Sequence, residues 1–188
     1  MTTLCLRVLG ILAISLGLAL PAWAQKVRLV TSVGDVVLEL DAAKAPKTVE
    51  NFVQYVRAKH FDGTIFHRVI DNFMIQGGGF RPDMTQKPTR APIPLESRNG
   101  LKNLKGTVAM ARTAIPESAT AQFFINVNDN HFLDADNARD GHGYAVFGRV
   151  VEGLDVVERI KAVATHSVGP HQNVPVTAVL IQRAVLEP

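Results

Sequence analysis

The chain alternates short β-rich runs with turn residues, and only two stretches break that rhythm with a helical period. Residues 27–32 and 36–40 are apolar-rich runs joined through Val33-Gly34-Asp35, which reads as a hairpin with glycine supplying the turn. Pro46 stands where a first helical turn tolerates proline. Val49, Phe52, Val53 and Val56 then recur at helical spacing opposite Glu50, Gln54, Arg57 and Lys59. That spacing predicts an amphipathic helix of about four turns. Further short apolar runs lie at residues 65–70, 73–76, 107–111, 122–127 and 144–150, punctuated by Gly, Pro, Asn and Asp. Val156, Val157, Ile160 and Val163 predict a second helix after Gly153, and residues 176–185 are strand-like. Many short strands with one helix near each end do not form βαβ units. They predict a mainly β fold, an antiparallel barrel with helices closing its two mouths. Residues 81–103 and 128–143 read as long loops, the first held extended by prolines 82, 88, 92 and 94.

The first 24 residues stand apart from this pattern. Residues 1–7 carry one basic side chain and no acid, residues 8–20 are almost wholly apolar, and Ala22-Trp23-Ala24 has the small-x-small form of a cleavage site. The apolar run is too short for the roughly 20 residues a membrane span needs. Residues 1–24 are therefore expected to be a cleaved secretory signal, and residues 25–188 a single exported domain without stable membrane insertion. Cys5 and Trp23, the chain's one cysteine and one tryptophan, leave with the signal, so the domain has no disulfide option. The formal net charge is +3, with no Lys/Arg run, which argues against a nucleic-acid partner.

Several chemistries are excluded. There is no G-x-S-x-G and no thiol nucleophile in the domain. Gly77-Gly78-Gly79 lacks the Lys-Ser/Thr of a phosphate loop and serves backbone geometry instead. The acidic stretch after Asp134 has Ala138 and Arg139 where a calcium loop needs an oxygen ligand and glycine, so it reads as a solvated acidic loop. No histidine pair has zinc-ligand spacing, and no metal or cofactor is expected.

What remains is Arg68 with a set of bulky apolar residues. A lone arginine among Phe66, Val69 and Ile70 ordinarily snorkels to a surface carboxylate. Phe73, Met74, Phe123, Phe124, Phe132 and Leu133, however, exceed what the nearby strands need as filler. Phe123 and Phe124 are adjacent on a strand, so one can join the core while the other faces out. With Arg68, Gln76 and Gln122 these residues could make an apolar pocket edged by a few polar donors, the composition of a small-ligand or peptide site.

The segments FDGTIFHRVIDNFMIQGGGF (61–80), GTVAMAR (106–112), QFFINV (122–127), FLD (132–134) and AVFGRV (145–150) resemble the cyclophilins, over essentially all of residues 27–186. The leader, INVNDN and GYAVFG resemble the periplasmic bacterial branch. The resemblance implies an eight-stranded antiparallel β-barrel closed by two α-helices, and peptidyl-prolyl cis–trans isomerase activity. It places the catalytic arginine at Arg68, the proline pocket at Phe73, Met74, Phe124, Phe132 and Leu133, and the polar rim at Gln76 and Gln122. Backbone contacts to substrate fall on Ala111 and Arg112, and a further rim position on Tyr144. The implied partners are proline-containing polypeptides, bound by a periplasmic monomer without cofactor. The other function compatible with these residues is a chaperone-like module that binds proline-bearing chains with little turnover. Two departures from the family pattern carry expectations. Phe132 replaces a common tryptophan, so cyclosporin-type inhibitors should bind weakly. Arg112 replaces asparagine, and its side chain is expected to favour acidic residues flanking proline.

Overall fold

Period-two burial along the first hairpin sets the architecture. In β1 (Gln25–Thr31) Val27, Leu29 and Thr31 are buried while their neighbours are partly exposed, and β2 (Gly34–Leu40) returns antiparallel from Thr31↔Gly34 to Gln25↔Leu40. The remaining barrel strands are β3 (Thr64–Ile70), β4 (Met74–Gly77), β5 (Thr107–Met110), β6 (Phe123–Asn126), β7 (Val146–Glu152) and β10 (Leu180–Leu186). They close in the order β1-β10-β3-β4-β6-β5-β7-β2, every pairing antiparallel. Closure removes the free edges that an open sheet of this size would present. The computed structural model describes residues 25–187; the expected leader, residues 1–24, lies outside the described residues.

Two helices pack against the barrel core. α1 (Pro46–Arg57) buries Val49, Phe52, Val53 and Val56, and α2 (Leu154–Lys161) buries Val156, Val157 and Ile160. Phe52 brings the α1 face onto Phe61, Phe123 and Phe147, with ring centroids 4.9, 5.4 and 5.0 Å away. The first turn of α1 has no cap from its own sequence, since Ala45 precedes it. Glu96 supplies one from the long loop, accepting the Lys47 and Thr48 amides at 3.1 and 2.8 Å. That contact, with Arg90 N–H on the Tyr55 hydroxyl and Ile93 N–H on the Ala119 carbonyl, pins the proline-rich segment to the barrel.

The expectation of eight barrel strands and two helices holds, with local differences. α1 has 12 residues, a little over three turns rather than four. α2 ends at Lys161, so Val163 packs beside the core from outside the helix. The final strand begins at Leu180 rather than residue 176: residues 176–179 bend between β10 and a separate hairpin of β8 (Thr165–Val168) and β9 (His171–Pro175). This hairpin is largely polar and exposed and shows no apolar alternation, so its sequence carried no strand signal.

Two apolar clusters result. The larger fills the barrel. The smaller, of Met74, Ala109, Phe124, Leu133 and Val146, lies apart from it and is flanked by Ile70, Phe73, Leu101, Ala111 and Tyr144. In β4 and β6 adjacent residues divide between the clusters, Ile75 with Met74 and Phe123 with Phe124, so the smaller cluster lies on the outward side of the wall.

Candidate active site

A shift of register puts Arg68 on that outer face. Regular alternation would give Phe66 and Arg68 the same direction, because they are two residues apart. The β3–β4 ladder instead runs Phe66↔Gly77 and then Arg68↔Gln76, with His67 as the extra residue of a bulge. Phe66 therefore fills the barrel interior, while Arg68 emerges beside Gln76. A row continues across the wall through the pairings Gln76↔Phe124, Phe124↔Ala109 and Ala109↔Val146.

Arg68 is half-buried, and among the described residues it has no carboxylate within ion-pair distance. Its neighbour is an amide. Arg68 Nη1 donates to Gln76 Oε1 at 3.4 Å, and Gln76 Nε2 donates in turn to Gln122 Oε1 at 2.9 Å. The first of these is long for a hydrogen bond, so the guanidinium is oriented but keeps donor capacity. Gln122 is itself seated on glycine: a Cβ at Gly79 would come within 2.5 Å of Gln122 Cγ. This is one use of the glycine triplet. Another is the close approach of Gly78, at φ +82°, to the rings of Phe61 and Phe123.

The apolar side of the site is hung on buried polar groups. Asn130 Nδ2 donates to the Phe73 carbonyl at 2.8 Å and to Asn126 Oδ1 at 2.7 Å, and Asn126 Nδ2 donates to Thr107 Oγ1 at 2.9 Å. Asp134 accepts both the backbone and side-chain N–H of Asn103, at 2.8 and 3.1 Å. These groups have few exposed atoms and satisfy one another, as buried polar groups must. They fix the single 3-10 turn His131–Leu133, which delivers Phe132 and Leu133. Phe132 remains 57% exposed, with its ring 5.6 Å from Phe73. Met74, Phe124 and Leu133 form the buried floor, and Tyr144 meets Phe124 edge-on at 5.7 Å.

All the residues expected from the sequence at this site converge here: Arg68, Phe73, Met74, Gln76, Ala111, Arg112, Gln122, Phe124, Phe132, Leu133 and Tyr144. Phe124 takes the pocket side and Phe123 the barrel core, where it meets Phe52, Phe61 and Phe66. Ala111 N–H bonds the Gln122 carbonyl at 2.9 Å, which binds the two rim segments together. The side chain of Arg112 departs from expectation. Its guanidinium is sequestered, with only 2% of the side chain exposed, and it pairs with Asp140 rather than facing solvent. In this pairing the guanidinium is not offered as a free cation to acidic residues flanking proline.

Ala109, Val146, Leu101 and Ile70, which complete the floor, were missed from the sequence; their runs looked like ordinary strand filler. The asparagines of the polar support were also passed over, although INVNDN spaces Asn126 and Asn130 four apart. The acids of the 134–143 loop pair with basic residues from outside it, Asp136 with Arg98 and Lys102 and Asp140 with Arg112. Among the described residues no cluster of His, Cys, Asp or Glu could hold a metal.

Beside the site, His67 is buried and its Nδ1 has no hydrogen-bond partner. Burial, followed by the neighbouring charges of His171 and Arg68, pushes its pKa down to about 4. At neutral pH the only cation on this part of β3 is Arg68.

Comparison with known proteins identifies the family. Residues 26–185 match the family described as cyclophilin type peptidyl-prolyl cis-trans isomerase/CLD. The chain is 64% identical to a peptidyl-prolyl cis-trans isomerase of Streptomyces antibioticus, over 84% of this chain and 96% of that one. It is 56% identical to peptidyl-prolyl cis-trans isomerase B of Escherichia coli K12, over 81% and 93%. Among solved structures, a cyclophilin type isomerase of Cryptosporidium parvum solved in the presence of the dipeptide Ala-Pro superposes with a TM-score of 0.75 at 26% identity, over 87% of this chain and 99% of that one.

Proposed function

The chain belongs to the cyclophilin-type peptidyl-prolyl cis-trans isomerases, and from that premise we propose that Arg68 catalyses rotation of X–Pro bonds held in the Phe73–Met74–Phe124–Phe132–Leu133 pocket. The observation that carries this reading is an outward-facing, half-buried guanidinium with no carboxylate partner among the described residues, aligned by the Gln76–Gln122 pair at the edge of an apolar floor.

The reaction needs no nucleophile and no proton transfer. It needs only loss of amide resonance, a barrier of about 18–20 kcal/mol. In the planar amide the proline nitrogen is not a hydrogen-bond acceptor; in the twisted amide its lone pair returns and it becomes one. A fixed guanidinium donor therefore binds the twisted state more strongly than either planar one. The apolar floor grips the pyrrolidine ring, Gln76, Gln122 and the Ala111–Arg112 backbone hold the chain, and the carbonyl end turns. A rate gain of roughly 10⁴–10⁶ requires about 5–8 kcal/mol of differential binding. Arginine suits the role because it stays charged at every working pH.

The test is Arg68→Ala assayed on an X–Pro peptide, with peptide affinity measured in parallel. The expected result is a fall in kcat of about 10²–10³, as for loss of other transition-state donors, with affinity kept within a few-fold. An unchanged rate would refute the mechanism, and negligible turnover in the parent protein with peptide binding intact would indicate a binding module.

The same reading takes residues 1–24 as a cleaved leader and the periplasm as the place of action, with folding exported proteins as substrates. Its support is the basic, apolar and Ala-Trp-Ala pattern, together with a family match that begins at residue 26. Mass measurement of the exported protein tests it: a chain starting at Gln25 is expected, and one starting at Met1 would overturn it. Phe132, lacking an indole N–H, is the basis for expecting weak cyclosporin binding. The protein is taken to act as a monomer, which sedimentation would check.

A further inference from the structure

Arg112 is an enclosed cation beside the site, its side chain 2% exposed, and most of its contacts lead to one ring. Its Nη2 pairs with Asp140, Nε donates to the Gly143 carbonyl at 2.9 Å and Nη1 donates to the Thr113 carbonyl at 2.9 Å. Its guanidinium carbon lies 4.5 Å from the centroid of the Tyr144 ring. Asp140 in turn accepts the backbone N–H groups of His142 and Gly143, at 2.9 and 3.2 Å. Tyr144 N–H bonds the Leu133 carbonyl at 2.9 Å, and the ring's other neighbour is Phe124 of the pocket floor. The Tyr144 ring is thus held between a buried guanidinium and the pocket floor.

The loop that supplies Asp140 is closed at its neck. A Cβ at Gly143 would lie 2.6 Å from both the Leu133 carbonyl oxygen and the Ala135 nitrogen, so the two ends of the loop meet backbone to backbone. Arg98 ties the far side through Asp136 at 3.1 Å and the Gly141 carbonyl at 2.9 Å. The loop is a braced strut. A buried charge is tolerated only when paired, and here the pairing fixes a geometry.

We propose that Arg112 is a positioning residue, which acts through Asp140 and Tyr144 to hold the wall of the proline pocket and so sets peptide affinity rather than turnover. This rests on the reading of the Arg68 site as the isomerase site. The structure gives Arg112 no direct role at the pocket floor; its lever is the Tyr144 ring.

The test is a double-mutant cycle on an X–Pro peptide, with kcat, KM and melting temperature measured for Arg112→Gln, Tyr144→Leu, the double variant, Asp140→Asn and Arg112→Lys. Arg112→Gln is expected to raise KM about 3–10-fold, the range a partly buried cation–π contact supports, with kcat within twofold. In the Tyr144→Leu background the same change is expected to leave KM unmoved. Arg112→Lys keeps the charge but not the fork and is not expected to restore KM. The idea fails if Arg112→Gln changes KM by the same factor in both backgrounds, or leaves it unchanged in a protein that melts cooperatively. Should Arg112→Gln not fold, Asp140→Asn at its exposed position decides the matter: an unchanged KM there overturns the proposal. Arg68→Ala run alongside separates the two ideas. Loss of kcat in Arg68→Ala with no KM effect at Arg112 sinks the clamp alone, whereas full activity in Arg68→Ala sinks the site reading beneath it.

Discussion

Replacing His67 with phenylalanine isolates the cost of keeping a buried imidazole uncharged on β3, beside Arg68. His67 is 5% exposed, its ring lies 4.5 Å from Phe80, and Phe80 lies 5.1 Å from His171, so the stack joins the barrel to the β8–β9 hairpin. The unfolded imidazole takes its proton at the ordinary value of 6.5, the folded one only at about 4. Between those values the unfolded chain binds more protons, and stability falls as pH drops. A gap of this size corresponds to about 3 kcal/mol once pH is below the folded value, of which about 2 kcal/mol is already lost by pH 5. Above pH 7 the residue contributes no pH dependence. His67→Phe removes the titration while keeping a ring beside Phe80. The assay is thermal or urea unfolding of both proteins at pH 7.5 and pH 5. Relative to the variant, the parent should lose about 2 kcal/mol over this interval, roughly 4–8 °C in melting temperature for a domain of this size. His60, whose pKa is also lowered by burial, is present in both proteins, so its contribution cancels in the comparison. Parallel pH profiles for the two proteins would refute the reasoning.

Three further outcomes are expected. Gly79→Ala places a methyl 2.5 Å from Gln122 Cγ, displacing a flexible side chain; kcat/KM should fall several-fold with little change in melting temperature, and an unaltered rate would remove the Gln76–Gln122 pair from the mechanism. Phe123→Ala should cost about 3–5 kcal/mol as a core truncation with peptide KM little changed, whereas Phe124→Ala, also buried, should add a clear rise in peptide KM to its loss of stability; urea unfolding beside steady-state kinetics separates them, and a KM rise confined to Phe123→Ala would contradict the division of the two rings. Phe132→Trp, at a largely exposed position, should change stability by less than about 0.5 kcal/mol while raising cyclosporin affinity, measured by inhibition; unchanged inhibition would mean that the missing indole is not what limits binding.

The barrel was legible because its cues are local. Val27 and Leu29, the helical spacing of Val49, Phe52, Val53 and Val56, and glycine at residue 34 each report on their own segment, where burial follows a period of two or 3.6. The FHRVI…F-M-x-Q-G-G pattern named the family because its residue types serve one chemistry. The β8–β9 hairpin escaped notice for the converse reason, being too polar and exposed to leave an apolar rhythm.

By itself, then, the sequence determined the barrel strands, the two helices and the family, and it supplied the residues from which the proposed pocket is made. Only the tertiary structure decided which way those residues face. Phe66 and Arg68 share a direction in any regular strand, and the bulge at His67 that parts them exists only against β4. The choice between Phe123 and Phe124 depends on where Phe52 and Phe61 arrive, and the fate of the Arg112 charge on Asp140, 28 residues away. Burial period is a property of one segment, but the partner of a buried charge and the face of a bulged strand are properties of chain closure.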